Sequence, residues 1–317
     1  MINTGKNLDL AVLNLKKNNI VVIPTETVYG LGANALSKKA VNKLFKLKKR
    51  PQNDPLICHT NSIEKISQYV KKIPPKAKLL NDLYWPGPLT ILFEKKNIIP
   101  DITTSNLKTV GFRIPNNRIT LKLLEKLDFP IAAPSANMFG YVSPTCVNHV
   151  LQNFDSGIDY ILDDGNCSVG IESTIIGFKK NKTIVYRLGS LPIKNIEKII
   201  GKVEYNFLNK NSLPGSFKNH YSPTKKLFVG NIEELINKHK NKKIGILCYN
   251  KKNKLVDNNL QIILSKNSSL KEASKNLYSS LYLLDNMDID IIITTLLPDK
   301  SIGISINDRI IKSSEKY

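Results

Sequence analysis

The spacing of short apolar runs constrains this chain more than any other feature. Over residues 1–200, β-branched and aliphatic runs recur at 19–23 (NIVVI), 56–58, 89–93, 110–114, 130–133, 158–162, 173–176 and 184–186. Runs this short and this apolar read as strands, and their alternation with helical stretches marks an α/β domain. One helix is explicit: Ser37 is placed to cap a segment reaching Lys48, whose Ala40, Val41, Leu44 and Leu47 share a face. Many strands with rather few helices between them predict a mixed, strongly twisted sheet around a cavity. From 201 to 224 the periodicity stops, and LPGSFKNHYSPT reads as a linker. Beyond it, strands are predicted at 226–229, 243–248, 260–264 and 289–294. Helices are predicted at 232–238, through Leu270, Ala273, Leu277, Leu281 and Leu284, and from about Ser305. The expected organisation is an α/β domain over 1–200, a linker over 201–224 and a small doubly wound, Rossmann-like α/β domain over 225–317, of a size that folds alone.

A length of 317 residues suits two such domains, and 41% hydrophobic with 23% charged residues excludes a disordered chain. The longest C-terminal apolar run, near 291–297, is broken by threonines and falls short of the roughly 20 residues of a bilayer span. Asp9 stands where a signal peptide would be apolar, so a cytoplasmic protein without membrane attachment is expected. Cys58, Cys146, Cys167 and Cys248 lie far apart, which predicts reduced thiols and neither a zinc knuckle nor a disulfide framework.

The formal net charge of +21 admits nucleic-acid contact, but the basic residues are scattered in short runs, as on a solvated surface. Their split is more informative. Of 47 basic residues only Arg50, Arg113, Arg118, Arg187 and Arg309 are arginine. In a lysine-rich chain, a surviving arginine points to a site that needs a planar fork for phosphate or carboxylate.

The segment IPTETVYGLGANAL (23–36) contains G-x-G-x-x-A, with Asp54 placed 24 residues after Gly30. A dinucleotide turn should follow its strand immediately, whereas residues 24–29 intervene here, so a hydroxyl-rich loop held by glycines beside a cavity is the better reading. In KLKKRPQNDPLICH (46–59), Lys48 and Arg50 end a helix before a proline-stiffened corner, and His59 closes a strand. WPGPLT (85–90), VGFRIP (110–115), IAAPSAN (131–137), SPT (143–145), DDG (163–165), GIESTII (170–176) and YRLGS (186–190) are dense in residues that packing alone does not request. No P-loop, nucleophile elbow or H-E-x-x-H motif occurs. What remains is a pocket of cations, hydroxyls and amides, suited to holding phosphates during an electrostatically driven transfer.

Taken in order, PTETVYGLGANA, K-x-R-P, PLICH, WPGPLT, VGFRIP, APSAN, SPT, DDG, GIEST and R-L-G resemble the threonylcarbamoyl-AMP synthase family in its long, two-domain form. The resemblance implies a YrdC-like catalytic domain joining L-threonine, bicarbonate and ATP into threonylcarbamoyl-AMP with release of pyrophosphate. A tRNA threonylcarbamoyl transferase is then the implied downstream partner. Lys48, Arg50, Ser135 and Asn137 match the catalytic K-x-R and S-x-N signature. Arg50, Asp54, Thr109, Ser135, Ser143, Arg187 and Lys218 match ATP positions, and Thr27, His59, Arg113, Ala133 and Ser173 the threonine pocket. Asp54 stands where the family usually has asparagine, so it either helps hold Mg²⁺ or faces away. Mg²⁺ is expected with ATP, with no metal site of the protein's own and no prosthetic group. Arg113 is expected to clasp the threonine carboxylate, and His220 and Tyr221 to fold over the pocket as a lid. Lys48→Ala and Arg50→Ala are expected to lower turnover by roughly 10²-fold or more with little effect on folding. The rival classes are a non-catalytic RNA-binding or ribosome-associated factor, and a carbamoyl-transfer protein for metallocentre maturation that lacks its zinc-finger and acylphosphatase parts here.

Overall fold

A computed structural model describes residues 2–206 and 221–315. Lys218 and His220 therefore lie outside the described residues. The first unit is built on strands β1 (Thr4–Gly5), β2 (Val21–Ile23), β3 (Gly30–Asn34), β4 (Ile57–His59), β5 (Leu89–Glu94), β6 (Thr109–Arg113), β7 (Ile131–Ala132), β8 (Tyr160–Leu162), β9 (Thr174–Lys179), β10 (Lys182–Arg187) and β11 (Val203–Tyr205). They join in one sheet in the order β1-β8-β2-β3-β7-β4-β6-β5-β9-β10-β11. The sheet is mixed, as predicted: β4 with β6 and β5 with β9 run parallel, whereas β2 with β3 and β5 with β6 run antiparallel.

The glycines of 23–36 are a correction. Gly30 and Gly32 lie within β3, paired antiparallel with β2, rather than in a loop. A Cβ on Gly32 would stand 2.6 Å from the Val21 carbonyl oxygen, so close strand approach is what demands glycine. The second correction is β11, a strand inside the stretch read as linker. It extends the sheet beside β10, and its three residues are too few for periodicity to register.

Between the strands run α1 (Leu8–Lys16), α2 (Lys38–Lys48), α3 (Ile63–Tyr69), α4 (Pro75–Tyr84), α5 (Arg118–Glu125), α6 (Val147–Leu151) and α7 (Ile193–Ile200). Helices are thus more numerous than expected, but most span only two or three turns. Ser37 caps α2 as predicted, accepting from the Ala40 amide at 3.2 Å. Alternation along β2 places Ile20 and Val22 in one apolar cluster and Val21 and Ile23 in another, so both sheet faces are covered.

The second unit comprises β12 (Lys226–Val229), α8 (Ile232–Lys238), β13 (Ile244–Cys248), β14 (Gln261–Ile263), α9 (Leu270–Asp285), β15 (Ile291–Thr294) and α10 (Gly303–Ser313). Its strands form a parallel sheet in the order β12-β15-β13-β14. Ile292 and Leu247 pack with α9 and α10 on one face, while Ile291, Ile293 and Ile246 pack with Leu235 of α8 on the other, which is the doubly wound arrangement expected. The α9–α10 face also buries Val28, Val142, Ile171 and Tyr221, so the two units share one apolar cluster. Among the described residues, no helix is long and apolar enough to cross a membrane.

Candidate active site

The parallel register of β4 and β6 sets His59 opposite Arg113, and both strand ends open into one cavity. Cys58, one residue earlier, turns into the apolar core instead. Burial, assisted by the Arg113 charge, pushes the His59 pKa down to about 3, so the imidazole is neutral near pH 7. Its Nδ1 is buried without a hydrogen-bond partner. All three Arg113 nitrogens are engaged: Nη2 pairs with Glu26 Oε2 at 2.7 Å, Nη1 donates to Thr27 Oγ1 at 2.9 Å and Nε to the Gly87 carbonyl at 3.2 Å. The turn that presents Gly87 contains a cis Trp85–Pro86 bond. Thr25 Oγ1 accepts from the amides of Thr27 and Val28, each at 3.1 Å, which fixes the hydroxyl-rich loop. Ser173 Oγ lies 2.8 Å from Thr90 Oγ1 at the start of β9.

Arg50 follows α2 and reaches the same cavity. Its Nη2 pairs with Asp54 Oδ1 at 2.8 Å, and Nε and Nη2 donate to the carbonyls of Asp54 and Pro55, each at 3.0 Å. Burial raises the Asp54 pKa to about 6 against the pull of Arg50, Lys48 and Arg187. Asp54 is buried on Arg50 and does not line the cavity. Arg187 leaves β10 at a register shift, and such a bulge re-aims a side chain. It donates through Nε to the Ser173 carbonyl and through Nη2 to Ser173 Oγ, both at 3.0 Å.

Lys48 requires a correction. Its ammonium is buried and donates to the carbonyls of Ser135 at 2.8 Å and Asn137 at 2.6 Å, and to Asn137 Oδ1 at 3.3 Å. It does not line the cavity; its bonds hold the 135–137 loop from behind. Asn137 is likewise spent internally, donating to the carbonyls of Met138 and Tyr141.

The structure thus gathers Thr27, His59, Arg113, Ala133 and Ser173 with Arg50, Ser135, Arg187 and Tyr221 around one cavity. Ser143 stands behind it, donating to Glu172 Oε1 at 2.6 Å. Thr109 opens β6, four residues before Arg113, and does not line this cavity. Two acidic residues were missed as site members. Glu26 pairs with Arg113, and Glu172 lines the cavity beside Ser173. Both sit inside the quoted motifs, but their partners come from distant chain, so nothing local singles them out. Among the described residues, no three His, Cys, Asp or Glu side chains gather as a metal site.

A family model described as Telomere recombination matches residues 14–189, and one described as Threonylcarbamoyl-AMP synthase, C-terminal domain, matches residues 191–314. The chain is 35% identical to the threonylcarbamoyl-AMP synthase of Pyrococcus abyssi, covering 95% of this chain and 92% of that protein. It is 33% identical to the one of Bacillus subtilis, covering 95% and 90%. A crystal structure of P. abyssi Sua5 complexed with L-threonine superposes with a TM-score of 0.92 at 34% identity, over 99% of this chain and 97% of that one. With both domains matched in sequence and in fold, the chain belongs to the threonylcarbamoyl-AMP synthase family of enzymes.

Proposed function

We propose that this cavity condenses L-threonine, bicarbonate and ATP into threonylcarbamoyl-AMP, releasing pyrophosphate. One observation carries the reading: Arg50, Arg113 and Arg187, from separate stretches of a lysine-rich chain, converge with Ser135 and Ser173 on a single cavity. The relative's complex with L-threonine supports the amino-acid half. Thr27, His59, Arg113, Ala133 and Ser173 surround the threonine, with neutral His59 offering an unprotonated nitrogen to its hydroxyl. Because Glu26 pairs with Arg113 from outside the cavity lining, the amino acid meets a partly neutralised guanidinium, not a bare one. Arg50, Ser135 and Arg187 face the phosphates. Lys48, Asn137 and Ser143 act one layer behind, by fixing the loop and carboxylate that shape the wall.

Bicarbonate takes a proton from the threonine ammonium and loses water to give CO₂. The freed amine adds to it and releases its second proton to solvent, and an oxygen of the resulting carbamate attacks the α-phosphorus as the bond to pyrophosphate breaks. Charge develops on phosphate oxygens, where fixed cations stabilise it without a general base. Mg²⁺ bound with ATP would supply further neutralisation of the phosphate charge. On the same reading, residues 1–200 are the catalytic unit, 201–224 join it to the second, and Tyr221, buried at the cavity wall, helps to close the site. The product passes to a tRNA threonylcarbamoyl transferase in the cytoplasm.

The test is pyrophosphate release with threonine, bicarbonate and ATP each omitted in turn, and with serine replacing threonine. Release is expected only with all three, and more slowly with serine. Salt-sensitive RNA affinity with no ATP consumption would favour the RNA-binding class instead.

A further inference from the structure

We propose that Arg309, on α10 of the second unit, is a positioning residue for the cavity: it holds Glu172 so that Arg187 stays directed at the nucleotide phosphates instead of at that carboxylate. The inference rests on the nucleotide reading given above. Glu172 is the one carboxylate that lines the cavity among the described residues. Such a charge opposes a polyanionic ligand unless it is neutralised. The second unit does this from behind: Arg309 Nε donates to Glu172 Oε2 at 2.8 Å, and the Tyr278 hydroxyl of α9 stands 2.9 and 3.1 Å from the two carboxylate oxygens. Arg309 itself is 1% exposed and lies 4.9 Å from the Tyr221 ring centroid.

The same helix grips the segment that carries Arg187. Arg309 Nη2 donates to the Leu188 carbonyl at 2.7 Å, and Ser305 Oγ to the Gly189 carbonyl at 2.7 Å. Burial pushes the Glu172 pKa up, but Arg309 first and Arg187 next outweigh it and hold the group ionised, at about 2. Two arginines therefore act on one buried carboxylate, and removing Arg309 leaves Arg187 as the remaining cation acting on it beside the Ser143 and Tyr278 hydroxyls. The second unit thereby sets the electrostatics of a site whose substrate-facing residues belong to the first.

Full-length Arg309→Gln, Glu172→Gln and the double variant test this, with ATP affinity by calorimetry, threonine KM and kcat from pyrophosphate release, and folding from thermal melts. Folded Arg309→Gln is expected to bind ATP about tenfold more weakly or worse, with threonine KM within about twofold of the parent. Adding Glu172→Gln is expected to restore most of that affinity, because both charges are then gone. Unchanged ATP affinity in Arg309→Gln, equal losses for ATP and threonine, or a double variant no tighter than Arg309→Gln would each overturn the proposal. If Arg309→Gln does not fold, Tyr278→Phe takes its place: a smaller ATP-selective loss relieved by Glu172→Gln supports the idea, and unchanged affinity refutes it. A parent protein that binds no ATP would instead remove the nucleotide reading, and this inference with it.

Discussion

Replacing Lys48 by methionine keeps the length and apolar stem of the side chain while deleting its ammonium. In the folded protein that ammonium makes two short charge-assisted bonds, 2.8 Å to Ser135 O and 2.6 Å to Asn137 O. At about 1.5–3 kcal/mol each, their loss costs roughly 3–6 kcal/mol. Part returns because the charge no longer has to be buried: burial, and then Arg50, hold the Lys48 pKa well below its usual value. A net destabilisation of about 2–4 kcal/mol is expected, or a fall of roughly 5–15 °C in the unfolding midpoint. Differential scanning calorimetry measures it directly. Turnover at a temperature where the variant is folded should fall as well, since the released loop carries Ser135 into the cavity wall. A melting temperature unchanged from the parent alongside a hundredfold loss of pyrophosphate release would refute the reasoning and place Lys48 on the nucleotide itself.

Arg50→Ala should lower turnover by roughly 10²-fold or more, because Arg50 borders the cavity, and should also cost about 3–5 kcal/mol of stability, because it leaves buried Asp54 without its partner; near-parental kinetics of the folded variant would remove it from the mechanism. His59 is depressed from 6.5 to about 3, so between those values the unfolded chain takes up a proton that the folded one refuses. Stability should therefore drop as pH falls through that window, by up to about 1.4 kcal/mol per pH unit, and His59→Gln should flatten this part of the profile in denaturant titrations. Asp54, raised from 3.8 to about 6, contributes the reverse slope, so the comparison must be made between variant and parent at each pH. Gly170→Ala forces a Cβ to 2.5 Å from the Lys275 Cα of α9 at a φ of +86°, and should cost about 1–3 kcal/mol while exposing the junction of the two units to protease; equal cleavage rates would show that the junction yields without cost.

How much was legible depended on length. In α2 the Ser37 cap and four apolar residues on one face were enough to place the helix. The five residues of α6 and seven of α3 complete barely two turns, and no periodic signal accumulates over so few. In the second unit, α9 runs for sixteen residues and its stripe stood out. At the site, the unusual residue types were visible as motifs, whereas their pairings were not. Glu26 with Arg113, and Glu172 with Arg309, are separated by 87 and 137 positions in the chain.

The amino-acid sequence by itself determined which residues were available for chemistry: few arginines, a run of hydroxyls before β3, a histidine closing β4, and an apolar pattern that requires one mixed and one parallel sheet. Only the tertiary structure decided which of them meet the cavity. Strand register set His59 beside Arg113, and burial turned Lys48 and Asn137 inward. The physical reason is that a charge's role depends on what neutralises it, and here each neutralising partner arrives from the far side of a fold that local pattern does not encode.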